Sequence, residues 1–261
     1  MRIALGVEYD GGGFSGWQLQ RHAVRTVQGE LEAALSRVAA HPVRVVCAGR
    51  TDTGVHAAGQ VVHFDTVAER SERNWVLGGN ANLPPDVSIS WARRVDDVFH
   101  ARFGAVSRRY CYLILNRPTR SSLLAGRATW IHKPLDAERM HEAGQVLVGE
   151  HDFSSYRAIG CQAKSPVKTV HSLTVHRCGE RVLLTVHANA FLHHMIRNIA
   201  GVLVAIGCGE QPVEWAQWVL AQRDRTRGGV TAPPHGLYFE RVWYPERFAV
   251  PPPPPLPFLQ D

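Results

Sequence analysis

The sequence predicts an α+β fold, and three observations carry that reading. Residues 2–9 alternate, with Ile3, Leu5, Val7 and Tyr9 on one side and Arg2, Ala4 and Glu8 on the other, the mark of a half-buried strand. Between residues 26 and 38 the apolar positions recur at helical spacing instead. Strand-like and helix-like segments then interleave twice, over roughly 1–104 and 105–245, so two α/β halves are expected, followed by a proline-rich tail over 246–261.

Composition bounds the rest. The 261 residues are 45% apolar, enough for a substantial core. No apolar run approaches the ~20 residues of a membrane span. Met1-Arg2-Ile3 leads straight into the first strand pattern, which argues against a cleaved leader. The five cysteines (47, 111, 161, 178, 208) are odd in number and contain no Cys-x-x-Cys pair. Reduced thiols and a cytoplasmic setting are expected, with no disulfide framework or zinc site. The net charge is +6 and the basic side chains are 29 Lys+Arg, only three of them lysines (133, 164, 168). Guanidinium groups fork to phosphate and stack on bases, so nucleic acid is the expected partner. A codon preference for arginine would leave the same trace.

In chain order, the first strand ends at Asp10-Gly11-Gly12-Gly13-Phe14-Ser15-Gly16-Trp17-Gln18. The triple glycine could hold phosphate, yet no Gly-x-x-x-x-Gly-Lys-Ser/Thr follows. Trp17 is either a core plug or a partner-facing ring. Thr26 caps a helix through Val27, Leu31, Ala34, Leu35 and Val38. Two strand-like pieces, 42–48 and 60–65, flank Gly49-Arg50-Thr51-Asp52-Thr53-Gly54-Val55-His56. The glycines suit positive φ and close approach of a ligand. Asp52 is either an Asx-turn acid in a surface ion pair or a reactive carboxylate on a loop between strands. Asp52-Thr53-Gly54 also spells an aspartic-protease triplet, but no second triplet exists and Arg50 favours a permanent anion.

A helix near 72–82 and a strand near 87–95 follow. Phe99-His100-Ala101-Arg102-Phe103 and Arg108-Arg109-Tyr110-Cys111-Tyr112 then mix cations with aromatics, as a surface that stacks bases and holds phosphate would. Buried tyrosines with rim hydroxyls are the equally weighted alternative. The stretch 116–127 reads as a loop. Asp136 caps a helix with Met140, Ala143 and Leu147 inward, stapled by Leu135 and closed by Gly149. A long loop over 152–166 precedes a hairpin of 167–177 and 181–188. Asn189 to Asn198 opens a helix to about 206, with Arg197 opposite the buried stripe and Gly201 leaving space beside its guanidinium. His193 and His194, adjacent on that helix, would diverge by about 100° and so make no metal site. Pro212 starts a last helix, and 236–244 forms a last strand. Pro251 to Pro257 is extended and surface-lying.

Taken together, these segments resemble the TruA family of tRNA pseudouridine synthases over residues 2–245. The likeness rests on Tyr9-Asp10-Gly11 with Gly16-Trp17-Gln18, on Gly49-Arg50-Thr51-Asp52 with Gly54-Val55-His56-Ala57, and on Phe99-His100-Ala101-Arg102 and Arg108-Arg109-Tyr110. It rests further on Asn189-Ala190-Phe191-Leu192-His193-His194-Met195-Ile196-Arg197-Asn198 and on Ala232-Pro233 with Gly236-Leu237. Thr53 departs from the family's usual Ala. The resemblance implies a pseudouridine synthase fold with a mixed central sheet and two ferredoxin-like-related halves flanked by helices, in a homodimer. It implies isomerisation of uridine at positions 38, 39 and 40 of the tRNA anticodon arm without cofactor or metal. Asp52 takes the nucleophile's place, Arg197 that of the arginine paired with it, Arg50 that of the arginine holding the flipped base, and Tyr110 that of the aromatic packed on the base. Residues 99–103 and 160–164 (Gly160, Cys161, Gln162, Ala163, Lys164) match tRNA-contacting segments. The alternative is a non-catalytic tRNA-binding protein or RNA chaperone with a structural Asp52.

Overall fold

The computed structural model describes residues 1–22 and 24–256. In chain order the elements are β1 (Arg2–Tyr9), α1 (Val27–Ala39), β2 (Val46–Cys47), β3 (His56–Asp65), α2 (Glu72–Asn82), β4 (Val87–Val95), β5 (Ser107–Asn116), β6 (Thr129–Ile131), α3 (Ala137–Gln145), β7 (Gly149–Asp152), β8 (Val167–Cys178), β9 (Arg181–Ala188), α4 (Met195–Gly207), α5 (Trp215–Gln222) and β10 (Leu237–Trp243). The α+β class is as expected. The chain divides into two units, Met1–Arg108 with Tyr238 onward, and Arg109–Leu237. The last strand and the tail thus belong with the first unit, not with the 105–245 half or a separate 246–261 segment. The cause is local: β10 runs parallel to β3, with Tyr238 opposite His56 and Phe239 opposite Ala57.

In the first unit β1 lies between β3 and β4, antiparallel to both, and β2 pairs antiparallel with β3. The order β4-β1-β3-β2, with α1 and α2 as the crossovers, is a ferredoxin-like arrangement. Thr26 caps α1 by accepting from the Gly29 amide at 3.2 Å, and Ser71 caps α2 by accepting from Asn74 at 3.1 Å. Val27, Leu31, Ala34 and Leu35 are buried, as their spacing predicts. The strand expected over 42–48 shrinks to Val46–Cys47. Its donors go elsewhere: the Val43 amide to Ser36 Oγ at 2.9 Å and the Val45 amide to Glu32 Oε1 at 3.0 Å. Beyond β10, Pro251 and Pro253 border Gly6 and Trp91, Leu256 is buried, and Arg93 donates to the Ala249 carbonyl. The tail through Leu256 therefore lies against the first unit's sheet, its residues 251–255 still partly or fully exposed. Pro257 falls outside the described residues.

In the second unit β5, α3, β8, β9 and α4 follow one another as β1, α1, β2, β3 and α2 do in the first, with β7 added beyond β8 and β6 parallel to β5. Asp136 caps α3 by accepting from Glu138 and Arg139, both at 3.0 Å, and Leu135 and Met140 are buried as the expected staple. The helix ends at Gln145, short of Gly149, which with φ 109° opens the edge strand β7. β7 ends at Asp152, where the expected 152–166 loop begins, and Phe153 and Tyr156 in that loop are buried anchors. The β8–β9 hairpin turns at Gly179, φ 56°. α5 begins at Trp215, after a turn in which the Trp215 amide donates to Pro212 O at 3.1 Å. Among the described residues no helix is long and apolar enough to cross a membrane.

Candidate active site

Asp52 heads a tight turn that the first unit clamps from several sides. The Val55 amide donates to the Asp52 carbonyl at 3.1 Å, with Gly54 at φ 78° supplying the left-handed residue the turn needs. Gly16, φ 85°, lies against the 51–53 backbone: a Cβ there would stand 3.0 Å from the Thr51 carbonyl oxygen and 3.2 Å from the Asp52 carbonyl carbon. The Trp17 amide donates to the same Thr51 oxygen at 3.0 Å, and the Trp17 ring is buried, so it is a core plug. The three glycines after Asp10 form a 3-10 turn instead of a phosphate cradle. A Cβ on Gly11 would collide with the Val55 carbonyl, and the Gly11 amide donates to His56 Nδ1 at 3.0 Å. The buried His56 ring stacks on Tyr238, with centroids 4.7 Å apart.

Asp52 itself is half-buried, Thr51 is buried, and Arg50 is exposed. Cys47, just upstream, is inert: burial pushes its thiol up to about 12 against the opposing pull of Arg50 and Arg102. Arg108 reaches back to the Ala48 carbonyl at 3.3 Å and the Arg102 carbonyl at 2.8 Å, linking the 99–103 segment to this loop. That segment is not uniform surface. Phe99 and Ala101 are fully buried core, a correction to the expectation that all five residues meet a ligand; Arg102 and Phe103 are exposed and His100 is half-buried. The Phe103 ring is 78% exposed, with His100 4.5 Å from it and the Arg102 guanidinium carbon 5.5 Å from its centroid.

In the second unit Tyr110 lies on β5, 9% exposed, with its ring edge-on to Phe191 at 5.0 Å. Tyr112 is the structural tyrosine of the pair: its hydroxyl bonds Thr129 Oγ1 at 2.6 Å and donates to the Pro233 carbonyl at 2.8 Å. Arg197 is half-buried in the first turn of α4. Its Nε donates to the Ala232 carbonyl at 2.8 Å, and the Ala232 amide donates back to the Arg197 carbonyl at 3.0 Å. That pairing gives Ala232-Pro233 its role, the two carbonyls orienting Arg197 and Tyr112. Gly201 serves the same segment; a Cβ there would collide with the Val230 carbonyl oxygen, so the space it leaves is filled by backbone.

The helix expected from Asn189 begins only at Met195. Residues before it are held elsewhere: the Asn189 amide donates to Thr169 O at 3.0 Å, and His193 O accepts from Ala158 N at 2.8 Å. His194 sits at φ 61°, and the His193 and His194 rings are 4.0 Å apart, so helical divergence does not separate them. Gly160, Gln162, Ala163 and Lys164 are exposed and Cys161 half-buried. Two further residues were members of the motifs or strands without an assigned part. In the first unit Gln60, fully buried, donates to the Gly49 carbonyl; in the second Asn198, 2% exposed, donates to the Tyr156 carbonyl and accepts from Thr231 Oγ1. A buried amide in an apolar run is the signal that points to them.

The sequence profile described as tRNA pseudouridine synthase matches residues 6–104 and 143–245, most of the chain. The chain belongs to the tRNA pseudouridine synthase family. It is 60% identical over 250 residues to tRNA pseudouridine synthase A of Pseudomonas aeruginosa, covering 96% of this chain and 88% of that one. Against the Nitrosococcus oceani protein of the same name the identity is 62% over 251 residues, covering 96% of each chain. Against that of Coxiella burnetii (strain Dugway 5J108-111) it is 54% over 258 residues, covering 99% of this chain and 98% of the relative. As a member of this isomerase family the chain is an enzyme.

Proposed function

We propose that this enzyme converts uridine to pseudouridine at positions 38, 39 and 40 of the tRNA anticodon arm, with Asp52 as the nucleophile. The observation that carries the reading is the Asp52 turn: one half-buried carboxylate on a backbone fixed by Gly16, Trp17 and Thr51, in a chain of this family. The reaction breaks the N1–C1′ bond, rotates the uracil and joins C5 to C1′; C5 loses its proton and the freed N1 takes one up. It is an isomerisation, so it needs no redox partner or group donor, and we propose that it runs without cofactor or metal.

An ionised carboxylate is competent to attack C6 of the base or C1′ of the sugar, or to take a proton from C2′. Arg197 is proposed to serve the Asp52 carboxylate, its fork oriented by the Ala232 carbonyl. Arg50, exposed, is proposed to hold the extruded nucleotide through its phosphate. Tyr110 packs on the target base, its ring braced by Phe191; such stacking is worth ~1–3 kcal/mol per base. Extruding a loop uridine costs a few kcal/mol. Arg102, Phe103 and the 160–164 loop are proposed to offset it by contacts to tRNA, in a homodimer.

The test is to incubate unmodified tRNA transcripts with the purified protein and map pseudouridine by sequence position. Isomerisation confined to 38–40 supports the reading. Binding without any pseudouridine would favour the chaperone alternative, and product at other positions would overturn the site assignment.

A further inference from the structure

Behind the Asp52 turn lies a chain of buried polar groups that no catalytic role uses. Tyr9, on β1, is 3% exposed, and its hydroxyl is 2.7 Å from Thr51 Oγ1. Gln60, on β3, is 0% exposed; its Nε2 donates to the Gly49 carbonyl at 2.6 Å and lies 3.5 Å from the Tyr9 oxygen. The Gly49 amide returns a longer bond to Gln60 Oε1 at 3.4 Å. Gln60 Nε2 can only donate, so the Tyr9 oxygen accepts from it while sharing a hydrogen bond with the Thr51 hydroxyl. Burial raises the Tyr9 phenol far above its ordinary value, so the hydroxyl stays protonated throughout any assayable pH.

Such a network is not needed to fill space. Phenylalanine, valine and leucine would fill the same volumes without burying an amide and two hydroxyls, which must then be satisfied. What the polar atoms add is direction: they fix the backbone at Gly49 and the side chain at Thr51, on the N-terminal side of Asp52. Gly16 and Trp17 fix the Thr51 carbonyl from the other side.

We infer that Tyr9, Thr51 and Gln60 are positioning residues that set the Asp52 carboxylate for attack, Tyr9 and Thr51 acting as one hydrogen-bonded pair. This rests on Asp52 being the nucleophile. Misplacement of a reacting group by about 1 Å costs on the order of a hundredfold in rate. Loss of one brace among several is therefore expected to lower kcat by about tenfold or more.

The experiment measures single-turnover pseudouridine formation, tRNA affinity and Tm for Tyr9→Phe, Thr51→Val, Thr51→Ser, the double variant Tyr9→Phe/Thr51→Val, and Asp52→Asn. The expected result is a rate loss in Tyr9→Phe and Thr51→Val with tRNA affinity within about twofold of the parent. Thr51→Ser, which keeps the hydroxyl, restores the rate. The double variant is no slower than the worse single, as two halves of one interaction require. Unchanged rates in Tyr9→Phe and Thr51→Val overturn the inference. So does a Thr51→Ser variant as slow as Thr51→Val, or a rate loss matched by equal loss of affinity. Asp52→Asn separates the two levels: if it retains turnover, the nucleophile assignment fails; if it is dead while Tyr9→Phe is normal, only the positioning inference fails.

Discussion

Gly201→Ala is the sharpest probe of how Arg197 is held. In an open helix position this change stabilises by about 1 kcal/mol, since alanine is the better helix former. Here the added methyl meets the Val230 carbonyl oxygen, sits 3.0 Å from the carbonyl carbon and 3.6 Å from the Ala232 nitrogen. These are backbone atoms, which cannot swing aside as a long side chain can. Overpacking of this kind costs about 1–3 kcal/mol, so after the helix gain the net effect is destabilising by up to about 2 kcal/mol, or a Tm lower by up to roughly 8 °C. Moving residues 230–232 also pulls the Ala232 carbonyl from Arg197 Nε, now at 2.8 Å, and frees the fork to rotate. The rate of pseudouridine formation is therefore expected to fall about tenfold or more. Differential scanning calorimetry and a single-turnover assay on the same preparation measure both effects. A variant as stable as the parent and fully active would refute the seating of the 230–232 backbone against α4.

Three further outcomes follow from the same geometry. Tyr110→Phe keeps the ring that packs on Phe191 and is expected to retain most activity, whereas Tyr110→Ala loses about 1–3 kcal/mol of base stacking, read as a rate loss of roughly ten- to a hundredfold. Equal inactivity of the two would show that the hydroxyl takes part. Arg197→Lys keeps the charge but not the fork, so turnover is expected to drop steeply while tRNA affinity, from gel shift or filter binding, changes little. For His63, burial foremost, then Arg2 and His100, hold the imidazole down to about 4, below the ordinary 6.5, and its Nδ1 accepts from the Ala101 amide at 3.1 Å. The unfolded chain therefore binds this proton first. Stability is present above pH 6.5 and is lost as pH falls from 6.5 towards 4, by at most ~3 kcal/mol. Denaturant midpoints across that window check the slope, which should flatten in His63→Gln.

Much of this architecture was legible because local signals agreed with tertiary ones. Thr26, Ser71 and Asp136 cap helices at their expected starts, and the β8–β9 hairpin turns where its glycine sits. Segments were misread where side chains took over backbone partners. Glu32 and Ser36 consume the donors of 43–45, and Asn189 is tied to Thr169, so neither the long second strand nor the early start of α4 forms. β6 and β7 are short strands defined by their neighbours more than by any period of their own. Asp52, Tyr110 and Arg197 stood out by motif, each with a part. Tyr9 and Asn198 stood in quoted motifs and Gln60 in a strand, but none carried an assigned part, because what a buried polar side chain holds is set by partners distant in sequence.

The most direct measurement is tritium release from 5-tritiated uridine in tRNA by Asp52→Asn, taken alongside its affinity for the same tRNA. The account predicts no release above background at an affinity close to the parent's. Sustained release would contradict it, because an amide cannot replace the carboxylate as nucleophile or base.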